Sequence, residues 1–328
     1  MLQQRRPTDC EYTGDDLSRD MNNHYHKPLK NSAIQIATYI ITICILYWVV
    51  QRAGVHTILA ELKKANLALI FYSFLLSLFF ALLSGLKMKI LVQMMGHKIG
   101  FFRCQSITFA AFPLNVVLPS KGGDLLKSWS LSNILPFSQG LGIVLLDRLI
   151  DLNVLCLMSV TGSILMGNMK LFLLSLSALL VSMSIIVFLN QSKFNSKRSF
   201  FHKFNGVGDA TKKLLRSRRS SLFIITASAI VWGGSVFQIY LLYLAIGQNV
   251  PLKASMAAVP VALLVGMFPI TVAGMGTRDI AIVKLFGGYA DTTSNITIGI
   301  LFSLLRYWAP ALIGLPFISS LKPGKKRI

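Results

Sequence analysis

Four stretches of this chain, 32–50, 67–86, 171–190 and 221–247, run for 19 to 27 residues without one Asp, Glu, Lys or Arg. A helix rising 1.5 Å per residue needs about 20 residues to cross a hydrocarbon core of about 30 Å, so each block is long enough to span lipid. The apolar residues lie in continuous runs, without the three-to-four spacing of a helix that buries one face and wets the other. Composition points the same way: 54% of the 328 residues are apolar, 14% are charged and the mean hydropathy is +0.62. Soluble domains carry roughly 25% charged residues. The expected fold is all-α, a polytopic membrane helix bundle.

Residues 1–31 are polar, with five acidic and five basic side chains and no apolar core of a cleaved signal. They have too little apolar area to fold alone and read as a disordered cytoplasmic tail. Cys10, Cys44, Cys104 and Cys156 show no paired spacing, and His24, His26, His56, His97 and His202 are scattered. Neither a disulfide framework nor a metal site is expected, and no cofactor is indicated.

The net charge of +21 raises the question of nucleic acid, and the position of the charges answers it. They flank the apolar blocks. The stretch 193–219 holds nine Lys or Arg against the single Asp209, with Phe194, Phe200, Phe201 and Phe204 interleaved. Basic residues among aromatics stack bases in some proteins. Beside a membrane span the same pattern suits an anionic lipid surface and marks the cytoplasmic side, which is the preferred reading, with no nucleic-acid partner.

Placing 193–219 and the basic end Lys322, Lys325, Lys326 and Arg327 on one side constrains the number of crossings. The parity is met if 101–135 and 254–288 enter and return as re-entrant hairpins. About six full spans remain, near 32–50, 67–93, 138–166, 170–190, 221–247 and 294–318, with both termini cytoplasmic. The membrane region is then 32–320, with a first repeat at about 67–166, a basic cytoplasmic loop at 191–220, a second repeat at about 221–318, and a basic tail at 321–328.

The two hairpins share an order of residues. Phe112-Pro113 precedes Gly122, Gly123, Asp124 and Lys127; Phe268-Pro269 precedes Gly274, Gly276, Asp279 and Lys284. In the spans that follow, Gly142 precedes Arg148 as Gly299 precedes Arg306. With opposite entry faces the halves would form inverted repeats with broken helices, a transporter architecture. The plain alternative is that Gly and Pro are common in membrane helices and the match is chance.

Charges inside spans cost about 2.5–3.5 kcal/mol each and are therefore paired or face a polar cavity. Asp147 and Asp151, four apart, share one helix face beside Arg148; Arg306 lies mid-span in the last helix. Arg306 either neutralises that acidic face as a lock between helices or lines a substrate path. At the hairpin turns, Gly122-Gly123 and Gly274-Met275-Gly276 would expose amide hydrogens at a helix start, which attracts phosphate, with Lys121 and Arg278 beside them. Asp124 and Asp279 suit the helix dipole there. There is no phosphate-binding Gly-x4-Gly-Lys-Ser/Thr loop and no Ser-His-Asp or His-rich constellation, so catalysis is not the expected role.

The segment 115–127, Asn-Val-Val-Leu-Pro-Ser-Lys-Gly-Gly-Asp-Leu-Leu-Lys, together with Asp147-Arg148-Leu-Ile-Asp151 and Gly274-Met-Gly-Thr-Arg278-Asp279, resembles the flippase-like transmembrane family related to the lysylphosphatidylglycerol synthase membrane region. The motifs occur in the family's order, over most of the chain from about residue 35. The resemblance implies a bacterial or archaeal cytoplasmic-membrane protein handling an aminoacylated or glycosylated lipid. It carries a binding role onto Asn115, Lys121, Gly122, Gly123, Asp124, Lys127, Asp147, Arg148, Asp151, Gly274, Gly276, Arg278, Asp279 and Arg306. Two positions depart from the family's usual residues: Asp279 stands where Glu is commoner and Lys127 where Arg is commoner, which removes a bidentate phosphate fork. With no cytosolic aminoacyl-transfer domain after the last span, lysyl transfer is not expected. The leading expectation is translocation of a lipid with an anionic headgroup, contacted by Lys121, Arg148, Arg278 and Arg306. The alternatives are a non-catalytic partner of a glycosyltransferase or lipid-modifying enzyme, and an enzyme acting on a lipid phosphate.

Overall fold

The computed structural model describes Ile40, Tyr47 and residues 55–118, 122–191, 205–267, Thr271 and 274–321, and the described residues form helices and no strand. Helices α1 (Val55–Lys64) and α2 (Leu67–Met94) lead into a pair, α3 (Phe101–Val117) and α4 (Gly122–Ser130), followed by α5 (Phe137–Leu165) and α6 (Met169–Gln191). Next come α7 (Asn205–Arg216), α8 (Arg218–Ala245) and a second pair, α9 (Leu252–Met267) and α10 (Thr277–Phe286). The last rod joins α11 (Thr292–Ser303), a π-helical turn (Leu304–Trp308), α12 (Ala309–Gly314) and a 3-10 stretch (Leu315–Leu321).

Helices α2, α6 and α8 and the stretch Thr292–Ser319 are long and apolar enough to cross a membrane. At 29 residues α5 is as long, but it carries Asp147, Arg148 and Asp151 in its middle. The five spans expected between 67 and 318 are therefore helices within a few residues of their expected ends. The span expected at 32–50 lies outside the described residues apart from Ile40 and Tyr47. Helix starts are set by polar caps: Asn66 Oδ1 accepts from the N–H of Ala68 at 3.0 Å, and Asp291 from that of Ser294 at 3.1 Å.

The two pairs fold back on themselves. Helices α4 and α10, of nine and ten residues, are about 13–15 Å long, half the thickness of the hydrocarbon core or less. In the first pair a methyl group at Gly123 would sit 2.5 Å from the carbonyl oxygen of Ala111, so only glycine permits this approach of α4 to α3. In the second, Gly274 and Gly276 adopt φ of 74° and 92°, left-handed backbone that turns the chain into α10. Pro113 lies within α3; Phe268-Pro269, its counterpart in the sequence pattern, is outside the described residues.

The basic stretch 191–220, expected as a loop between spans, contains a short helix, α7. Val207, Ala210 and Leu214 recur at helical spacing and are buried, while Lys212, Lys213 and Arg216 face outward. Gly206 fits against the carbonyl of Ser138 and opposite Gly142, pinning α7 to the start of α5.

Two apolar cores meet on α5. Ile143, Leu146 and Ile150 pack with α2, α3 and α7, whereas Leu155 and Cys156 pack with α8, α9, α10 and α11. Outside the cores, α6 leaves Leu173, Leu174, Leu180, Val181 and Phe188 more than half exposed, and α2 does the same with Phe71 and Tyr72. An apolar surface of this kind, on helices long enough to cross a membrane, suits contact with lipid.

Candidate functional site

Lys87, on α2, is 2% exposed. Its ammonium lies 2.7 Å from Asp147 Oδ1 and 2.8 Å from Asp151 Oδ1, the two acids that α5 presents on one face. Ser228 of α8 donates to the same Asp151 oxygen at 2.8 Å. Burying an isolated ammonium would be prohibitive, and two carboxylates with a hydroxyl make the burial tolerable.

Arg148, one position along α5, turns toward the first pair of helices. Its guanidinium contacts Asp147 at 2.8 Å, Asp151 at 3.3 Å and Asp124 of α4 at 3.7 Å. Asp124 is held further by Lys127 at 2.6 Å and by Asn115, whose amide nitrogen donates to Asp124 Oδ1 at 3.2 Å and whose oxygen accepts the Asp124 N–H at 3.0 Å. Asn115 thus ties the end of α3 to the start of α4 across the turn.

Asn115, Asp124, Lys127, Arg148 and Asp151 line a cleft of about 80 Å³ together with Thr108, Phe112, Trp232, Arg306 and Tyr307. Arg306 belongs to the π-helical turn, where Ala309 N–H reaches back five residues to Leu304. Pro310 has no N–H to return to the Arg306 carbonyl, which favours this widened turn. The Arg306 side chain is 9% exposed, lies 5.0 Å over the Phe80 ring, and has no carboxylate partner among the described residues. The ring fits there because Gly234 of α8 leaves room for it.

A second cavity, of about 480 Å³, is apolar and lies among α5, α6 and the end of α9. Leu145, Leu149, Val181 and Ile185 line it, together with Arg148, so the same arginine borders both the charged cleft and the apolar groove.

The chain matches the family model described as the lysylphosphatidylglycerol synthase TM region over residues 35–314. It belongs to that family. Among curated relatives it is 25% identical over 275 residues to a UPF0104 membrane protein of Archaeoglobus fulgidus, covering 75% of this chain and 83% of that one. Further UPF0104 membrane proteins are 21% identical in Methanothermobacter thermautotrophicus (90% and 95% covered) and 20% identical in Methanocaldococcus jannaschii (88% and 94% covered). A family of membrane proteins that handle lipids agrees with the exposed apolar belt on α2 and α6.

Of the residues singled out in the sequence, Asn115, Asp124, Lys127, Arg148, Asp151 and Arg306 line the cleft, with Asp147 beside them. Gly122 and Gly123 are the first residues of α4, and the close approach of Gly123 to α3 brings Asp124 there. Lys121 lies outside the described residues. The second pair is placed differently from expectation. Arg278 is 1% exposed and does not line the cleft: it holds Asp279 at 2.6 and 2.9 Å, donates to Ser303 Oγ at 2.5 Å and to the Gly299 carbonyl at 3.2 Å, and stacks over Phe302 and Tyr307. Asp279 also accepts the Gly276 N–H at 2.9 Å, closing the turn. These residues cross-link α10 to α11 from behind Tyr307.

Sequence reasoning did not single out Lys87, Thr108 or Trp232. Lys87 was legible in principle as a cation two turns inside the end of a span. The lock that the sequence assigned as one option to Arg306 is held by Lys87, which leaves Arg306 facing the cleft.

Proposed function

We propose that this protein moves a lipid with a phosphate-bearing headgroup between the two leaflets of the membrane, holding the phosphate in the charged cleft. The observation that carries the reading is the shared position of Arg148, which borders a cationic cleft on one side and an apolar groove on the other. An amphiphile matches both at once, with its phosphate against Arg148 and Arg306 and a chain along α5 and α6. Arg306 supports it as a buried cation with no carboxylate partner among the described residues, one that a bound anion would balance. The short returning helices α4 and α10 suit hairpins that dip from opposite faces, with the cleft at the deep end of the first. The exposed cations Lys212, Lys213, Arg216, Arg218 and Arg219 would rest on the anionic cytoplasmic surface.

Reconstitution into vesicles with fluorescent phospholipids and a membrane-impermeant quencher tests this. The expected result is headgroup exchange between leaflets that Arg306→Gln slows at least tenfold. Rates equal to those of protein-free vesicles across a panel of anionic lipids would sink the proposal.

A further inference from the structure

Once the ion pairs of the cleft are drawn, Trp232 Nε1, Thr108 Oγ1 and Arg148 Nε remain buried with no hydrogen-bond partner among the described residues, and the first two belong to uncharged side chains. Trp232 is 6% and Thr108 1% exposed, and both line the cleft, one from α8 and the other from α3. A buried indole N–H ordinarily finds an acceptor, and leaving it without one is costly. The missing partner therefore belongs to whatever fills the cleft.

The charges restrict what that is. The network contains four cations, Lys87, Lys127, Arg148 and Arg306, and three carboxylates, Asp124, Asp147 and Asp151, leaving one positive charge among the described residues. A phosphodiester, with one negative charge, balances the cleft; a phosphomonoester, at about −1.5 to −2, exceeds it. An ammonium finds no free acid, because Asp124 is held by Lys127, Asn115 and Arg148, Asp147 by Lys87 and Arg148, and Asp151 by Lys87, Arg148 and Ser228.

Building on the lipid-phosphate reading of this cleft, we infer that it selects a singly charged phosphodiester whose adjoining headgroup is uncharged and rich in hydroxyl oxygens, and that Trp232 and Thr108 read that headgroup. An indole only donates, whereas a threonine hydroxyl both donates and accepts, so the pair suits a polyol or sugar. An aminoacylated headgroup would bring a further cation into a site that is already positive.

The full chain, purified in detergent, is titrated in mixed micelles against four phospholipids of identical chains, with displacement of a fluorescent phospholipid as readout. Phosphatidylglycerol offers a diester with hydroxyls, phosphatidylmethanol a diester without them, phosphatidic acid a monoester, and phosphatidylethanolamine an ammonium. Phosphatidylglycerol is expected to bind about tenfold more tightly than phosphatidylmethanol, with the other two weaker than phosphatidylglycerol. Thr108→Val, which removes the polar hydrogen at similar volume, and Trp232→Phe, which removes it while keeping an aromatic ring, are expected to bring phosphatidylglycerol down to the level of phosphatidylmethanol while leaving phosphatidylmethanol unchanged. Equal affinity of the two diesters for the unaltered chain overturns the inference without any variant having to fold. So does ethanolamine matching glycerol, or an equal loss for both diesters in the variants. If none of the four displaces the probe and Arg306→Gln changes nothing, the lipid-phosphate reading falls with it; loss of the glycerol preference alone leaves that reading standing.

Discussion

The first and second helical pairs carry the same order of glycines, acid and base, yet they place them in opposite surroundings. In the first pair, Asp124 reaches outward to Arg148 on another helix, shares Lys127 and Asn115, and borders a cavity. In the second, Asp279 is consumed by its own neighbour Arg278 and by the Gly276 N–H, and the same guanidinium also donates to Ser303 and to the Gly299 carbonyl. One acid belongs to a network open to a ligand and the other to a closed lock. Two residues adjacent in the last rod mark the boundary: Arg306 faces the cleft, and Tyr307 carries Arg278 on its ring. A recurring motif thus reports a recurring backbone shape, while its chemistry depends on the helices packed around it.

The largest expected effect tests the lock. Asp279→Ala strands a fully buried guanidinium and is expected to lower stability by about 3–5 kcal/mol, read as a large drop in melting temperature in detergent. Arg306→Gln is expected to do the reverse in kind. It should slow lipid exchange at least tenfold with a smaller loss of stability than Asp279→Ala, because the side chain has no carboxylate partner among the described residues and its cation–π contact with Phe80 is worth about 0.5–2 kcal/mol.

Asp124→Asn keeps the shape at the start of α4, the Lys127 side chain is partly open to solvent, and Arg148 still pairs with Asp147 and Asp151. A loss of about 1 kcal/mol is expected, accompanied by tighter binding of anionic lipid because the cleft gains a positive charge. If this substitution destabilises the protein as much as Asp279→Ala does, the distinction between open network and closed lock fails.

The smallest effect lies away from both pairs. Partial burial raises the Asp291 carboxyl, but hydrogen bonds from the Ser294 hydroxyl and N–H outweigh it and hold the group below the usual carboxylate range. Asp291→Ala is expected to cost about 1 kcal/mol at neutral pH. Because the folded-state pKa is depressed, this contribution is present above the ordinary carboxylate range and fades as pH falls through the folded value. Melting curves of the two proteins should therefore converge in acid.

Much of the fold was legible because lipid imposes a local rule. A run such as 67–86 has to satisfy its backbone internally and present apolar side chains all round, and both properties are written in consecutive residues. The helix at 205–216 was missed because its charges dominate the composition, and the small apolar face of Val207, Ala210 and Leu214 has meaning only against α5. In the site, Asp147 and Asp151 were legible from their spacing, but Lys87 lies 64 residues from Asp151 and resembles an ordinary flanking cation until α2 is laid beside α5. Trp232 and Thr108 carry no sequence signal at all. Their importance rests on hydrogen-bonding atoms that packing leaves over.

By itself the sequence determined that the chain crosses a membrane as helices, where those helices fall, and that two short pairs of helices interrupt them, since each depends on hydropathy and backbone freedom within one segment. Only the tertiary structure decided which charges cancel and which remain. Pairing is a matter of side chains from distant segments meeting within 4 Å, and a buried charge acquires its role from what is, or is not, beside it.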